Sequence, residues 1–307
     1  MRAGSGEFEV VTGAFGYTGK YITRRLLAAG KRVKTLTGHP ELPDPFSGRV
    51  TVVRWDFDDA SGLRRELEGA SVLYNTYWVR FEHGAATFAE AIANTRKLIR
   101  AATDAGVRRL VHVSIANPSL DSTLPYYRGK AELEAAIQQS DLSYAILRPT
   151  VIFGLEDILI NNIAWLVRRF PIFAVPGDGS YQLQPIFVDD LASLAAAAGD
   201  EYENCILDAA GPETFTFDEL VLEIAKRVGK RVKLWHVHPD ASLVATKIIG
   251  ACLDDVILTR AEIKGLMANL LVSSAPPLGV TRFTNWLRED AARLGMEYAS
   301  ELARHYR

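Results

Sequence analysis

Apolar positions in the first half of the chain fall into short runs separated by stretches of helical spacing. Phe8–Thr12, Arg32–Thr37, Val50–Arg54, Ser71–Thr76, Arg109–Ser114 and Ser143–Arg148 read as strands. Between them, Gly19–Ala29, Ser61–Leu67, Phe81–Ala105 and Tyr126–Ser140 read as helices. Ile22, Leu26 and Leu27 recur at helical spacing, as do Ile92, Leu98, Ile99 and Ala102. Gly30 and Gly106 follow two of these helices, where a C′ glycine is expected. Strands such as "SVLYN" and "RLVHVS" are mostly apolar, as a sheet covered by helices on both faces requires. Repeated βα units with right-handed crossovers predict an α/β, Rossmann-type doubly wound parallel sheet.

After Thr150 the rhythm changes. Helices are expected at Asn161–Phe170, Asp189–Ala198 and Thr216–Val228, with strands at Asn204–Asp208 and near Val232–His236. "PIFAVPGDGSYQLQPIFV" reads as loops with one edge strand, and the tail from Ala241 as largely helical. The expected organisation is a dinucleotide-binding domain over 8–150 and a smaller, mainly α lobe over 151–307 that returns strands to the sheet. A ligand belongs at the carboxyl ends of the parallel strands.

"VVTGAFGYTGKYI" is the first candidate for chemistry. Gly13, Gly16 and Gly19 stand between an apolar strand and a helix. Gly13 would allow a tight turn, Gly16 close backbone approach to a pyrophosphate, and Gly19 close packing of helix on strand. The helix N-terminus offers N–H groups and partial positive charge to phosphates. Phe15, Tyr17 and Thr18 complete this cofactor loop. The alternative is a plain strand-to-helix turn. The second strand ends in Thr37, Gly38 and His39, none of them acidic. An acidic residue there would repel a 2′-phosphate, so NADP(H) is favoured, with Thr37 and His39 as phosphate contacts; NAD(H) stays open. No arginine stands in that segment. Asp56 and Phe57 are candidates to bracket the adenine, or else a helix cap and a core aromatic.

"YYRGK" is the second candidate. Tyr126 and Lys130 are one helical turn apart, and an ammonium beside a phenol favours the phenolate needed for proton transfer. Together, "TGAFGYTG", "HVSIAN", "YYRGK", "AILRPTVIFG" and "PIFVDDLA" resemble the extended and atypical branches of the short-chain dehydrogenase/reductase superfamily. Within it, "LRPTVIFGLEDILINNIAWLVRRFP" is similar to the group holding the NADPH-binding accessory subunit of respiratory complex I, NmrA-like sensors and NAD-dependent epimerase/dehydratase proteins. The resemblance implies bound NAD(P)(H), Tyr126 as acid/base, and Lys130 as its partner and ribose contact. It implies Ser114 as a catalytic hydroxyl at the end of the fifth strand. It also places Asn75, Thr76 and Tyr77 along the cofactor's centre, and Pro149, Thr150 and Val151 beside the nicotinamide amide.

Two departures from that pattern bear on function. Ile115 replaces a second hydroxyl after Ser114, with Asn117 as a candidate substitute. Leu183, beside Gln184, stands where sugar-nucleotide epimerases carry a diphosphate-binding arginine. Tyr77, Trp78, Phe81, Phe153 and Trp165 suit a small, weakly polar or quinone-like substrate, or are simply packing residues. Two readings follow: an NAD(P)(H)-dependent oxidoreductase, or a non-catalytic dinucleotide-binding sensor or assembly subunit.

Composition narrows the remainder. The chain has 307 residues, 48% hydrophobic and 23% charged, with net charge -2. No basic stripe favours nucleic acid. Cys205 and Cys252 read as buried thiols in a reducing compartment. The His pair of "HVHP" lacks further ligands, so no metal is expected. No run of apolar residues reaches membrane-spanning length. The leading "MRAGSGEF" has linker character and stays outside the fold reading. A cytoplasmic location is expected. Arg168-Arg169 reads as a solvated helix face, Asp189-Asp190 as a helix cap, and the amphipathic tail as a lobe or homo-oligomer contact.

Overall fold

The computed structural model describes residues 7–305. The chain begins with β1 (Phe8–Thr12), α1 (Tyr17–Ala28), β2 (Val33–Thr37), β3 (Val50–Arg54), α2 (Ala60–Leu67) and β4 (Ala70–Asn75). Then come α3 (Phe88–Asp104), β5 (Arg109–Val113), α4 (Pro125–Gln138) and β6 (Ser143–Pro149). The second half holds β7 (Val151–Phe153), α5 (Leu159–Arg169), β8 (Ile172–Pro176), β9 (Gln182–Leu183) and β10 (Pro185–Phe187). These are followed by α6 (Val188–Asp200), β11 (Cys205–Ala209), β12 (Phe215–Thr216), α7 (Phe217–Arg227) and β13 (Lys233–Val237). Helices α8 (Pro239–Leu253), α9 (Arg260–Met267), α10 (Phe283–Asp290) and α11 (Glu301–His305) close the chain.

Two compact units emerge. The first takes the chain up to Arg148 and then Val188–Leu207; the second takes Pro149–Phe187 and Asp208 onward. A seven-stranded sheet runs in the order β11-β6-β5-β4-β1-β2-β3. β1 pairs in parallel with both β2 and β4, and the outer pairs β2–β3, β4–β5 and β5–β6 are also parallel. This is the Rossmann-type sheet that the apolar runs predict. Strand order reverses between β1 and β4, so their carboxyl ends diverge and leave an opening there. Val10, Leu36, Leu73, Leu110 and Ile146 from the strands pack with Leu63, Leu98 and Ile137 from the helices. Each such side chain contributes roughly 1.5–3 kcal/mol on burial.

Chain return to the first unit is anchored by charge. Arg25 of α1 pairs with Asp189 of α6 through Nε at 2.8 Å and Nη2 at 2.5 Å, and Lys31 pairs with Asp200 at 2.8 Å. Asp189 is therefore an ion-pair partner as well as a first-turn residue of α6. Arg109 of β5 is fully buried, and its guanidinium donates to the carbonyls of Ala198 and Glu203 and to Ser143 Oγ. Its Nη2 also lies 3.9 Å from Sγ of Cys205, a half-buried thiol. The side chain of Cys252 lies outside the described residues.

The second unit has its own core, in which Phe153, Ile163, Leu220, Phe283 and Trp286 interlock. It is less purely helical than the sequence suggests. β8 pairs with β13, β7 with β10, and β9 with β12, as two-stranded sheets. The segment read as loops with one edge strand thus carries three short strands, whose pairing partners lie too far along the chain for local patterning to reveal. Phe153 is fully buried against Phe187, Phe283 and Trp286, so it is a packing residue. Trp165 packs on Tyr298 and under the Arg169 guanidinium. Arg168 and Arg169 are not a merely solvated face. They donate to the carbonyls of Ala291, Leu294, Gly295 and Met296, closing the chain after α10 onto α5.

One helix starts later than its pattern. α3 begins at Phe88 and not at Phe81, because Gly84 adopts φ +57 and Thr87 caps the helix through the Glu90 N–H. Removing Arg109 takes the donor from the buried Ala198 carbonyl and from the part-buried Ser143 Oγ and Glu203 carbonyl. Arg109→Leu is expected to lower unfolding free energy by about 2–4 kcal/mol, read as a shift in urea midpoint at constant slope.

Candidate functional site

The site is built from strand ends in the first unit. At the end of β1 the chain turns through Gly13 at φ +66, and the Gly16 N–H donates to the Gly13 carbonyl at 2.9 Å. A Cβ on Gly19 would stand 2.2 Å from that same carbonyl, so only glycine allows α1 to sit this close. A Cβ on Gly16 would meet it at 3.2 Å. Gly16 caps α1 with no side-chain hydrogen bond, and no acidic residue occupies the first turn, where half-buried Tyr17 and Thr18 lie. The first turn itself thus brings no negative side chain to the positive end of the helix macrodipole. Phe15 packs near Phe46, and Tyr17 meets Tyr21 edge-on.

At the β1/β4 reversal a buried polar chain joins the strand ends. Thr12 Oγ1 donates to Asn75 Oδ1 at 3.0 Å and accepts from the N–H groups of Thr76 at 2.8 Å and Tyr77 at 3.2 Å. Thr76 Oγ1 donates back to the Thr12 carbonyl at 2.6 Å. Since Asn75 Oδ1 also accepts from the Tyr77 N–H, its amide group must face His112 Nδ1, 3.1 Å away. His112 is thereby fixed as the tautomer carrying its proton on Nε2. That atom is buried and has no hydrogen-bond partner. Burial, reinforced by the Lys130 charge, holds this imidazole well below its usual pKa.

At the ends of β2 and β3 the structure adds residues that the sequence reading lacked. Thr37 is buried, and its hydroxyl accepts from the His39 N–H at 3.1 Å. β2–β3 pairing sets Thr37 directly opposite Arg54. A guanidinium thus reaches the strand end where the β2 segment alone offers none, because cross-strand register is invisible in a linear pattern. Glu41 lies between His39 and Arg54: its carboxylate meets His39 Nδ1 at 3.2 Å and Arg54 Nη2 at 3.3 Å. Asp56 accepts from the Asp58 N–H, while Asp59 is the actual cap of α2. Phe57 packs with Trp55 and Tyr77, all three ring centroids lying 5.0–5.3 Å apart.

Helix α4 carries the proton-transfer candidates. Tyr126 is half-buried and meets Trp78 edge-on at 5.7 Å, while Lys130 Nζ lies 4.6 Å over the same indole. The indole rests on Gly129, where a Cβ would come within 3.0 Å of Trp78 Cη2. Lys130 is buried and donates to the Val113 carbonyl at 2.9 Å. Desolvation pushes its ammonium pKa down to about 7, against the pull of Glu134. Ser114 Oγ donates to Glu134 Oε1 at 2.5 Å, and Arg148 holds the same carboxylate through Nη2 at 2.6 Å. Glu134 and Arg148 were not singled out by sequence reasoning, although Glu134 continues the four-residue spacing Tyr126, Lys130, Glu134. Ile115 is half-buried, and Asn117 is exposed with φ +54.

The remaining candidates sit elsewhere. Pro149 ends β6, and Val151 pairs with Pro185 in the second unit. There Thr150 Oγ1 donates to the Gln184 carbonyl, and the Gln184 amide binds Gly211 and Ser273. Leu183 is fully buried beside Phe215. His236 Nε2 meets Asp218 at 2.8 Å, and His238 caps α8. Among the described residues no group of three or more His, Cys, Asp or Glu is placed to hold a metal, and no helix is long and apolar enough to cross a membrane.

Residues 13–156 match the family model described as NAD(P)H-binding. The chain carries an NAD(P)H-binding domain. The match begins at the first glycine of the turn and ends just beyond β7. Around this domain the chain is 28% identical over 233 residues to NADH dehydrogenase (ubiquinone) 1 alpha subcomplex subunit 9, mitochondrial, of Arabidopsis thaliana. That alignment takes in 70% of this chain and 56% of the relative, so the chain spans little more than half of that protein's length. It is 25% identical over 244 residues to the (4-alkanoyl-5-oxo-2,5-dihydrofuran-3-yl)methyl phosphate reductase of Streptomyces griseus, taking in 77% of this chain and 79% of that one. The same fold occurs in the Citrobacter triphenylmethane reductase solved with NADP(H). There the TM-score is 0.76 and the identity 19%, over 92% of this chain and 99% of that one.

Lys130 gives the NAD(P)H-binding domain a pH signature. Its folded pKa of about 7 lies below the ordinary lysine value of 10.5. Between those values the unfolded chain binds more protons, so the wild type gains stability as pH rises from about 7 to 10.5. Lys130→Met, which has no proton to lose, is expected to be the more stable form at pH 7. Its advantage should shrink steadily towards pH 10, as read from urea midpoints across that range.

Proposed function

We propose that the protein is an NAD(P)(H)-dependent oxidoreductase of the atypical or extended short-chain dehydrogenase/reductase type, acting on a small carbonyl or alcohol. One observation carries the reading. Tyr126 and Lys130 lie one turn apart on α4, against the same Trp78 indole, in a domain of the NAD(P)H-binding family. When bound, the dinucleotide would supply or accept the hydride. Gly13, Phe15, Gly16, Tyr17, Thr18 and Gly19 would hold its pyrophosphate. Asn75, Thr76 and Tyr77 would run along its centre, with Pro149 and Val151 towards the nicotinamide.

Tyr126 is the residue assigned to move the proton. A lysine titrating near neutrality beside it can both stabilise the phenolate and replenish its proton. Ser114 enters with a restricted role. Its single hydroxyl proton goes to Glu134, so towards a substrate it can only accept a hydrogen bond. Polarising a carbonyl then rests on Tyr126, because Ile115 has no donor. Such a site suits acceptors that delocalise charge themselves, which favours a weakly polar or quinone-like ring beside Tyr77 and Trp78. A sugar-nucleotide diphosphate is disfavoured, since the position of its usual arginine is the buried Leu183.

The second reading is a non-catalytic NAD(P)H-binding sensor or assembly subunit. It is supported by the similarity to a subunit of NADH dehydrogenase and by Ile115. Turnover with a panel of quinones and aldehydes separates the two. Tyr126→Phe is expected to lower turnover by about 10²-fold or more while dinucleotide affinity by calorimetry stays within about twofold. Unchanged turnover would remove Tyr126 from the mechanism. Tight cofactor binding by the wild type, with no oxidation by any member of the panel, would favour the sensor or subunit.

A further inference from the structure

The ends of β2 and β3 hold a carboxylate between an imidazole and a guanidinium, at the place where dinucleotide-binding folds receive the adenosine ribose. We propose that Glu41 sets the choice between NADPH and NADH, its carboxylate occupying the position of a 2′-phosphate between His39 and Arg54. The proposal rests on the reading that a dinucleotide lies along the Gly13–Gly19 turn with its ribose at the end of β2.

Three observations place the groups. Thr37 closes β2, and its hydroxyl fixes the His39 backbone at 3.1 Å, which starts the loop leading to Glu41. Strand register sets Arg54 opposite Thr37, and the Trp55 N–H binds the Thr37 carbonyl at 3.1 Å, tying the two strand ends together. The Glu41 oxygens are then divided: Oε1 meets His39 at 3.2 Å and Oε2 meets Arg54 at 3.3 Å. A carboxylate shared in this way has the donor arrangement that a phosphate monoester needs, with a guanidinium on one side and an imidazole on the other. The Trp55 indole packs directly against Gly38, where a Cβ would come within 3.1 Å of its Nε1.

Exchange is physically easy. All three side chains are at least half exposed, and exposed ion pairs of this kind hold weakly. A 2′-phosphate brings nearly two negative charges to the same donors, so it outcompetes one carboxylate and drives Glu41 outwards. NADH requires no such exchange, because its 2′-hydroxyl can donate to the resident Glu41. The chain can therefore take either dinucleotide, and Glu41 acts as an internal competitor against NADPH alone.

The test is calorimetric titration of the full chain, freed of nucleotide, with NADPH and with NADH. Glu41→Gln is expected to tighten NADPH by about tenfold and leave NADH unchanged or slightly weaker. Arg54→Gln is expected to weaken NADPH by about tenfold or more at constant NADH affinity, with partial recovery in Arg54→Lys. If Glu41→Gln shifts both dinucleotides equally, or Arg54→Gln leaves their ratio unchanged, the proposal is wrong while the binding reading stands. If the wild type binds neither dinucleotide, both fall together.

Discussion

A single hydroxyl holds the site open. Where the sheet reverses between β1 and β4, the strand ends part and their backbone groups lose ladder partners. Thr12 Oγ1 fills that role by donating to Asn75 and accepting from two successive backbone N–H groups. Buried polar networks are worth having only when fully paired, and this one is complete as far as His112 Nδ1. The glycine turn leaves β1 directly after Thr12, and the segment proposed to follow the cofactor's centre leaves β4 directly after Asn75. Both strand exits thus share one small set of hydrogen bonds. A change in that set would displace both together.

Charge is arranged differently around Lys130. Along α4 the structure buries Lys130 and Glu134 on consecutive turns, with Arg148 completing the pair to Glu134. The carboxylate receives the guanidinium and the Ser114 hydroxyl, so its ionised form is well satisfied. Lys130 receives one carbonyl and the face of an indole, which is poor compensation for lost water. The asymmetry explains why the lysine drifts towards neutrality. A guanidinium cannot shed its proton at working pH, whereas an ammonium can.

The sequence conveys some of this far better than the rest. The glycine turn is legible because its spacing expresses backbone requirements: a positive φ at Gly13 and no Cβ at Gly19. The parallel strands are legible because burial on both faces leaves an unbroken apolar run. Arg54 and Glu41 are not, since their meeting depends on strand register and on a loop folding back across it. Ser114 illustrates a third case. Its position at a strand end can be read directly, but the direction of its proton depends on a carboxylate twenty residues later. Short strands such as β9 and β12 defeat pattern reading because two residues carry no period.

The discontinuity of the first unit has a consequence for how it is made. Arg109 is synthesised nearly ninety residues before the Ala198 carbonyl that receives it, and β11, the last strand of the sheet, ends at Ala209. During synthesis the guanidinium must wait in water or beside transient partners until the whole of the second unit's first segment has emerged. The sheet therefore closes late, and its edge is sealed by a segment that arrives only after an excursion into another core. A break in the chain anywhere between Arg148 and Val188 would turn an internal strand pairing into an association between two polypeptides.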